Sequence, residues 1–228
     1  MKVIFDNAAQ THGAFSYETT TDIVKVDGFY SRFIKRGLDV VLVCFVAPTA
    51  LIVILFFAAL IAMDGSNPFY SQTRLGRNGR KFRMWKLRSM IPDADARLEE
   101  HLKANPDAAR EWRTKQKLQN DHRLTRVGSF IRRTSIDELP QVWNVLNGTM
   151  SLVGPRPMME CQAELYPGKR YYRQRPGITG LWQISDRHTS DFAERAKFDD
   201  AYDREVSLMT DLRILVATIG VVFRCTGV

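Results

Sequence analysis

Residues 35–63 read KRGLDVVLVCFVAPTALIVILFFAALIAM, and from Leu38 to Met63 only Asp39, Pro48 and Thr49 interrupt the apolar run. As one straight helix of about 25 residues it would rise roughly 37 Å, enough to cross a hydrocarbon core of about 30 Å. Pro48 falls near the middle, where it removes an internal N–H and leaves two halves, each about one leaflet deep. Both flanks are basic, with Lys35 and Arg36 before the run and Arg74, Arg77, Arg80 and Lys81 after it; Asp64 is the one acidic residue just past its end. Basic flanks stay in the cytoplasm, and a single crossing cannot leave both there. Two readings stand from these residues: a spanning helix kinked at the proline, or a re-entrant hairpin that breaks at Pro48 and returns to the same face.

The rest of the chain is of ordinary globular composition. Its 228 residues carry 33 Lys and Arg against 25 Asp and Glu, a net charge of +8 that favours an anionic partner: nucleic acid, an anionic membrane surface or a phosphorylated substrate. Cys44, Cys161 and Cys225 are far apart and lack metal-ligand spacing, so they read as reduced thiols. Zinc, Walker and dinucleotide motifs are absent. Residues 1–28 are polar and aperiodic, which predicts a flexible N-terminal tail.

Beyond the apolar run, Asn78-Gly79 supplies type I′ turn residues between Phe69–Leu75 and Lys81–Arg88, predicting a β-hairpin. From Ser71 to Met90 there are seven basic residues and no acidic one. Arg74, Arg77, Arg80 and Lys81 read as a solvated face at lipid headgroups. Lys86 and Arg88, two apart in a strand, read instead as a built-in anion site. Residues 93–120 predict helix, broken at Asn105-Pro106 and solvated on a face of alternating charge.

The chemistry concentrates at Arg132-Arg133-Thr134-Ser135-Ile136-Asp137-Glu138-Leu139-Pro140-Gln141. Pro140 is cheap only in a first helical turn, so a helix starting near Asp137 is expected. Asp137 and Glu138 would then lie at its positive end with arginines close behind. The plainer reading is that Ser135-x-x-Glu138 forms a capping box or that Asp137 is an N-cap. Farther on, Pro155 and Pro157 hold Arg156 in a restricted backbone suited to a phosphate grip. Arg175 leads into Pro176-Gly177-Ile178-Thr179-Gly180-Leu181-Trp182-Gln183, whose glycines allow close backbone approach. Phe192–Val206 predicts an amphipathic helix, and Ile214–Phe223 an apolar one too short to span.

Taken together, Lys35-Arg36-x-x-Asp39, Gly76-x-Asn78-Gly79, Lys86-Leu87-Arg88-Ser89-Met90, the Arg132–Gln141 stretch, Val153-Gly154-Pro155-Arg156-Pro157 and Arg175–Gly180 resemble the bacterial sugar transferase family over residues 30 to about 225. These are the monotopic polyprenyl-phosphate phosphoglycosyl transferases, of the exopolysaccharide-initiating type. The resemblance implies an α+β, mainly helical fold. Its expected parts are a membrane-embedded re-entrant segment, 29–64, broken at Pro48, and a cytoplasmic catalytic domain, 65–228, with a β-hairpin and interfacial helices. It implies transfer of galactose or glucose 1-phosphate from a UDP-sugar to undecaprenyl (polyprenyl) phosphate, with release of UMP, at the cytoplasmic face of the bacterial inner membrane. Asp137 falls on the family's nucleophile and Glu138 on its partner carboxylate, the two holding Mg2+. Lys86, Arg88, Arg132, Arg156 and Arg175 would clamp phosphates. Membrane lipid is an expected partner and nucleic acid is not; a dimer is compatible. Asp186 departs from the pattern, standing where relatives often place glycine.

Two other functions fit parts of the sequence. A membrane-tethered basic module would bind nucleic acid or anionic lipid without chemistry. A glycosyl transferase that moves sugar without its phosphate would release UDP rather than UMP.

Overall fold

The computed structural model describes residues 28–116, 118, 120–185 and 191–223. The expected tail (Gly28 apart) and Asp186 lie outside them. A π-type turn, Tyr30–Ile34, leads into α1, Lys35–Ala62. Pro48 lies inside α1, and the helical conformation runs through it although its missing N–H leaves the ladder one donor short. The buried positions of α1 are Lys35, Asp39, Val43, Ala50, Ile54, Ala58 and Ile61. Apart from one skip of seven across Pro48 they recur every three or four residues, so one stripe faces the rest of the protein along the whole helix. Val41, Phe45, Leu51, Ile52, Leu55 and Phe56 are exposed on its other faces. Among the described residues, Tyr30–Ala62 is the stretch long and apolar enough to cross a membrane.

Both ends of α1 are tied to the same folded body. At the first turn, the buried Lys35 ammonium donates to Asp211 at 2.5 Å and to the Tyr202 hydroxyl at 2.9 Å. Arg36 donates to the carbonyls of Val145 and Leu146. Asp39 accepts from Ser151 Oγ at 3.1 Å and from the Leu152 N–H at 2.9 Å. At the last turn, Arg88 Nη2 grips both Asp64 oxygens, at 2.6 and 2.7 Å, and reaches the Ile61 carbonyl at 3.3 Å. A cation there meets the negative end of the helix dipole.

The hairpin forms as expected from β1, Phe69–Leu75, and β2, Lys81–Leu87, antiparallel with Phe69 opposite Leu87. Asn78 and Gly79 both take positive φ, and the Arg80 N–H returns to the Arg77 carbonyl at 3.2 Å, as a type I′ turn requires. Phe82 and Met84 pack on Val43 of α1 and on Val145 and Met150; Leu87 packs on Ile54, Ala58 and Ile61 of α1 and on Ile131.

Helices α2, Ala94–Ala104, and α3, Pro106–Lys115, break at Asn105, whose side chain caps α3 through the N–H groups of Asp107 and Ala108. Helix α4, Arg126–Arg133, and a 3₁₀ turn, Ile136–Gln141, lead into α5, Val142–Leu146. Two short strands, β3, Ser151–Val153, and β4, Gly177–Thr179, pair in parallel, which the sequence analysis did not predict. They meet where no side chain fits. A Cβ on Gly177 would stand 2.1 Å from the Gly154 nitrogen, and one on Gly154 2.3 Å from the Arg175 carbonyl oxygen.

The chain ends its described course in α6, Leu181–Ile184, α7, Arg195–Glu205, and α8, Leu208–Phe223. Helix α8 buries Asp211 and Ile214 and exposes Leu208, Met209, Leu212, Val216, Ile219 and Phe223. The architecture is mainly helical with two two-stranded sheets.

Candidate active site

Within β2 the inward row Phe82, Met84 continues by strand parity to Lys86. The first two are core; the third delivers an ammonium to the base of the hairpin. There it meets the 3₁₀ turn. Ser135 takes the left-handed conformation (φ 58°) and its side chain caps nothing, so the capping-box reading does not hold. The turn starts at Ile136, one residue before the expected Asp137, and carries Pro140 inside it rather than at its first position. The α-helical ladder is taken up only at Val142, so the proline's missing donor falls before it.

Asp137, 4% exposed, and Glu138 share one cation: Lys86 Nζ lies 2.8 Å from Glu138 Oε1 and 3.4 Å from Asp137 Oδ2. Arg156 Nη2 adds a second contact to Glu138 Oε1 at 3.1 Å. Burial alone would raise Glu138, but Lys86 and Arg156 outweigh it and bring its pKa down to about 2. Asp137 moves the other way. Burial raises it above the usual aspartate range and the Glu138 charge adds to that, while Lys86 and Arg132 oppose. The pair is therefore split into a firmly ionised glutamate and an aspartate whose charge is harder to hold.

Among the described residues, Asp137 Oδ1 and Glu138 Oε2 accept no hydrogen bond. No cluster of three or more His, Cys, Asp or Glu is present there that could cage a metal. Two carboxylates adjacent in sequence, each with one oxygen free of these contacts, suit a magnesium ion that takes its remaining ligands from phosphate oxygens and water.

Of the five cations expected at phosphates, the structure gathers Lys86, Arg132 and Arg156 around the carboxylates. Arg88 is not among them. The strand ends at Leu87, so parity no longer aims the next side chain, and Asp64 takes it at the end of α1. Arg175 lies elsewhere, its Nε donating to the Gly148 carbonyl at 3.0 Å. It lines a separate cavity of about 390 Å³ with Arg77, Arg80, Lys81, Asn147 and Thr149.

Arg74, expected on a solvated face, is instead largely buried. It lines a narrow cleft with Lys86, Glu138, Gln141 and Arg156. Gln141 and Arg195 also escaped the sequence analysis. Gln141 sits inside the quoted stretch, but Arg195 lies 57 positions beyond Glu138 and reaches this region only through the fold of α7.

A buried carboxylate pair contacted by a lysine and an arginine, beside a long apolar helix, defines the class of the site: a charged pocket at the foot of an apolar element. The chain belongs to the bacterial sugar transferase family, whose model matches residues 30–225. It is 46% identical over 203 residues to the UDP-galactose-lipid carrier transferase of Erwinia amylovora, covering 86% of this chain and 42% of that protein. It is 45% identical to the exopolysaccharide production protein ExoY of Sinorhizobium fredii, over 85% of this chain and 87% of that one. Against the undecaprenyl-phosphate galactose phosphotransferase of Salmonella typhimurium it is 42% identical, over 86% of this chain and 42% of the relative. The chain thus spans less than half the length of two of these three.

Proposed function

We propose that this protein transfers a sugar 1-phosphate, galactose or glucose 1-phosphate, from a UDP-sugar to undecaprenyl (polyprenyl) phosphate through a phospho-sugar ester of Asp137. The observation that carries the reading is the split carboxylate pair: Asp137 buried beside a Glu138 held ionised by Lys86 and Arg156. A carboxylate attacks a phosphoryl centre only where cations offset the repulsion between two anions. In the first half, an Asp137 oxygen forms a bond to the β-phosphorus. The bond from that phosphorus to the bridging oxygen breaks, and its electron pair leaves with UMP. In the second half, an oxygen of the lipid phosphate attacks the same phosphorus and the carboxylate is restored. Lys86 and Arg156 hold the oxygens of the transferred phosphoryl group in both halves. Asp137 and Glu138 would hold Mg2+, which supplies charge neutralisation at the diphosphate. The names of the relatives, with UDP-galactose, a lipid carrier and undecaprenyl phosphate among their substrates, support the donor and the acceptor.

The same reading places the protein as monotopic at the cytoplasmic face of the inner membrane, with both ends of α1 on that face although the helix is not broken at Pro48 as expected. The support is that both ends of α1 are bonded to one body while its outer faces stay apolar.

The test is membrane-bound protein with undecaprenyl phosphate and a panel of UDP-sugars, scored for UMP. Asp137→Asn is expected to lose UMP release by at least about 1000-fold and to retain no donor label, while remaining folded. Release of UDP in place of UMP, or near-normal turnover by this variant, would overturn the mechanism.

A further inference from the structure

Two guanidinium groups, those of Arg74 and Arg156, line the cleft with Glu138, and a third, that of Arg195, lies close enough behind them to feel both charges. Arg156 has a carboxylate partner. The other two have none: among the described residues neither Arg74 nor Arg195 lies within ion-pair distance of a carboxylate. Arg74 donates to the neutral Gln72 amide oxygen at 2.5 Å, and its Nε is shielded from solvent with no hydrogen-bond partner. Arg195 Nε is shielded and unpartnered in the same way. Its guanidinium is held as a flat plate, 4.1 Å from the ring centroid of Trp182 and 4.6 Å from that of Phe192.

Unpaired buried donors are costly, and like charges brought together out of water are costlier. Burial and then Arg156 pull the Arg74 pKa down to about 10. Burial, Arg156 and Arg74 pull that of Arg195 down to about 9. The acid that acts on Arg195, Asp199, already accepts from the Tyr166 hydroxyl at 2.6 Å, and burial lifts its own pKa to about 7, so it supplies only part of a counter-charge. A cation–π seat accounts for one face of Arg195. It does not account for two arginines within electrostatic reach of a third, each with a shielded Nε left over. An anion does.

We propose that Arg74 and Arg195, with Arg156, form the seat of the nucleotide's α-phosphate, the phosphate that leaves as UMP. The assignment rests on the donor reading above and follows from order along the cleft. Lys86 and Glu138 are next to the nucleophile, Arg156 touches Glu138, and Arg74 shares the cleft wall with Arg156. The phosphate attacked by Asp137 occupies the near end and the α-phosphate the far end. When the bond to the β-phosphorus breaks, the electron pair passes to the bridging oxygen and the α-phosphate gains one negative charge. Arg74 and Arg195 are positioned where that charge appears, so they contribute more to the leaving group than to the intact donor.

The experiment uses the full chain in detergent or nanodiscs and UMP itself as probe, by calorimetry and by thermal shift. The variants are Arg74→Gln, Arg195→Gln, Arg74→Lys and Arg195→Lys, with the exposed Arg110→Gln as control. Each glutamine variant is expected to weaken UMP binding about 10- to 100-fold and to lower UMP release from the UDP-sugar by at least as much. The lysine variants, which keep charge but lose the fork, should recover part of both. If wild type binds UMP and the glutamine variants lose it, but wild type never releases UMP from any UDP-sugar, the proposed function fails and the seat stands. If the four variants that fold bind UMP within twofold of wild type, the seat is overturned while UMP release by wild type leaves the function intact. Should the glutamine variants not fold, the lysine pair decides: unchanged UMP binding in both overturns the proposal.

Discussion

At the scale of single residues, the site works by dividing charge unequally between neighbours. Lys86 is the group both carboxylates share, and its ammonium is the largest influence holding Asp137 down against burial. In the proposed mechanism Asp137 attacks as its carboxylate, so UMP release is expected to fall as pH falls through its raised pKa. Lys86→Met removes the opposing cation, raises that pKa further and moves the acid limb of UMP release toward higher pH. At neutral pH the loss is expected to be about 100-fold or more, and a pH–rate profile of the first half-reaction checks both effects; an unmoved limb would show that Lys86 does not tune Asp137. Asp199 gives a stability test with its own sign. Its folded pKa, about 7, lies above the unfolded value, so the favourable contribution is complete below the unfolded pKa and is lost as pH rises through about 7. Asp199→Asn keeps an acceptor for Tyr166 and should melt higher than wild type at pH 8, with the gap closing toward pH 5. At this scale the sequence was informative where residues were adjacent. Asp137-Glu138 and the proline-flanked Arg156 could be picked out because local backbone chemistry marks them. Arg74 and Arg195 could not, since an arginine in a basic run or on a charged helix looks solvated until tertiary packing buries it.

At the scale of elements, the hairpin carries Lys86 and must be held against the turn that carries the carboxylates. Asn144 of α5, 1% exposed, does this by behaving as one more strand partner. Its Oδ1 accepts from the Trp85 N–H at 3.1 Å, and its Nδ2 donates to the Arg83 carbonyl at 2.7 Å and to Thr149 Oγ1 at 3.1 Å. Asn144→Ala leaves a backbone donor and a backbone acceptor unpaired in the interior. At about 1–3 kcal/mol for each, the expected loss is about 2–6 kcal/mol, measurable by denaturant titration in mild detergent. Asn144→Asp should lose at least as much at neutral pH, since it sets a buried carboxylate against the Arg83 carbonyl. The elements themselves were legible to differing degrees. Asn78-Gly79 and Asn105-Pro106 marked their turn and break correctly because those residues act through local φ and donor count. The β3–β4 ladder was invisible: two three-residue strands have no periodicity, and only the glycine spacing hinted at the backbone contact between Gly154 and Gly177. The 3₁₀ start at Ile136 differed from expectation because a left-handed Ser135, not a side-chain cap, turns the chain.

At the scale of the whole molecule, the question is which side of the membrane each end of α1 occupies. Its composition allows a crossing, and the helix does not end at Pro48. The polar residues at its ends support the proposed re-entrant placement instead. Lys35, Tyr30 and Tyr202 converge on Asp211 at one end, while Arg88 holds Asp64 and Ile61 at the other, and all of these partners belong to one body. A spanning α1 would have to abandon one set. Leaving the Lys35 network with an uncompensated buried charge would cost about 3–5 kcal/mol, with no apolar gain, since the outer faces are already free to meet lipid. The prediction is that residues 28 and 66 lie on the same, cytoplasmic, side. In a chain whose three cysteines are replaced by serine, Gly28→Cys and Ser66→Cys should each react with an impermeant maleimide in inverted membrane vesicles. Neither should react in right-side-out spheroplasts until the membrane is permeabilised. Labelling of the two positions from opposite sides would make α1 a crossing helix, and the contacts of Lys35 and Arg88 could not then both exist in the membrane-bound protein.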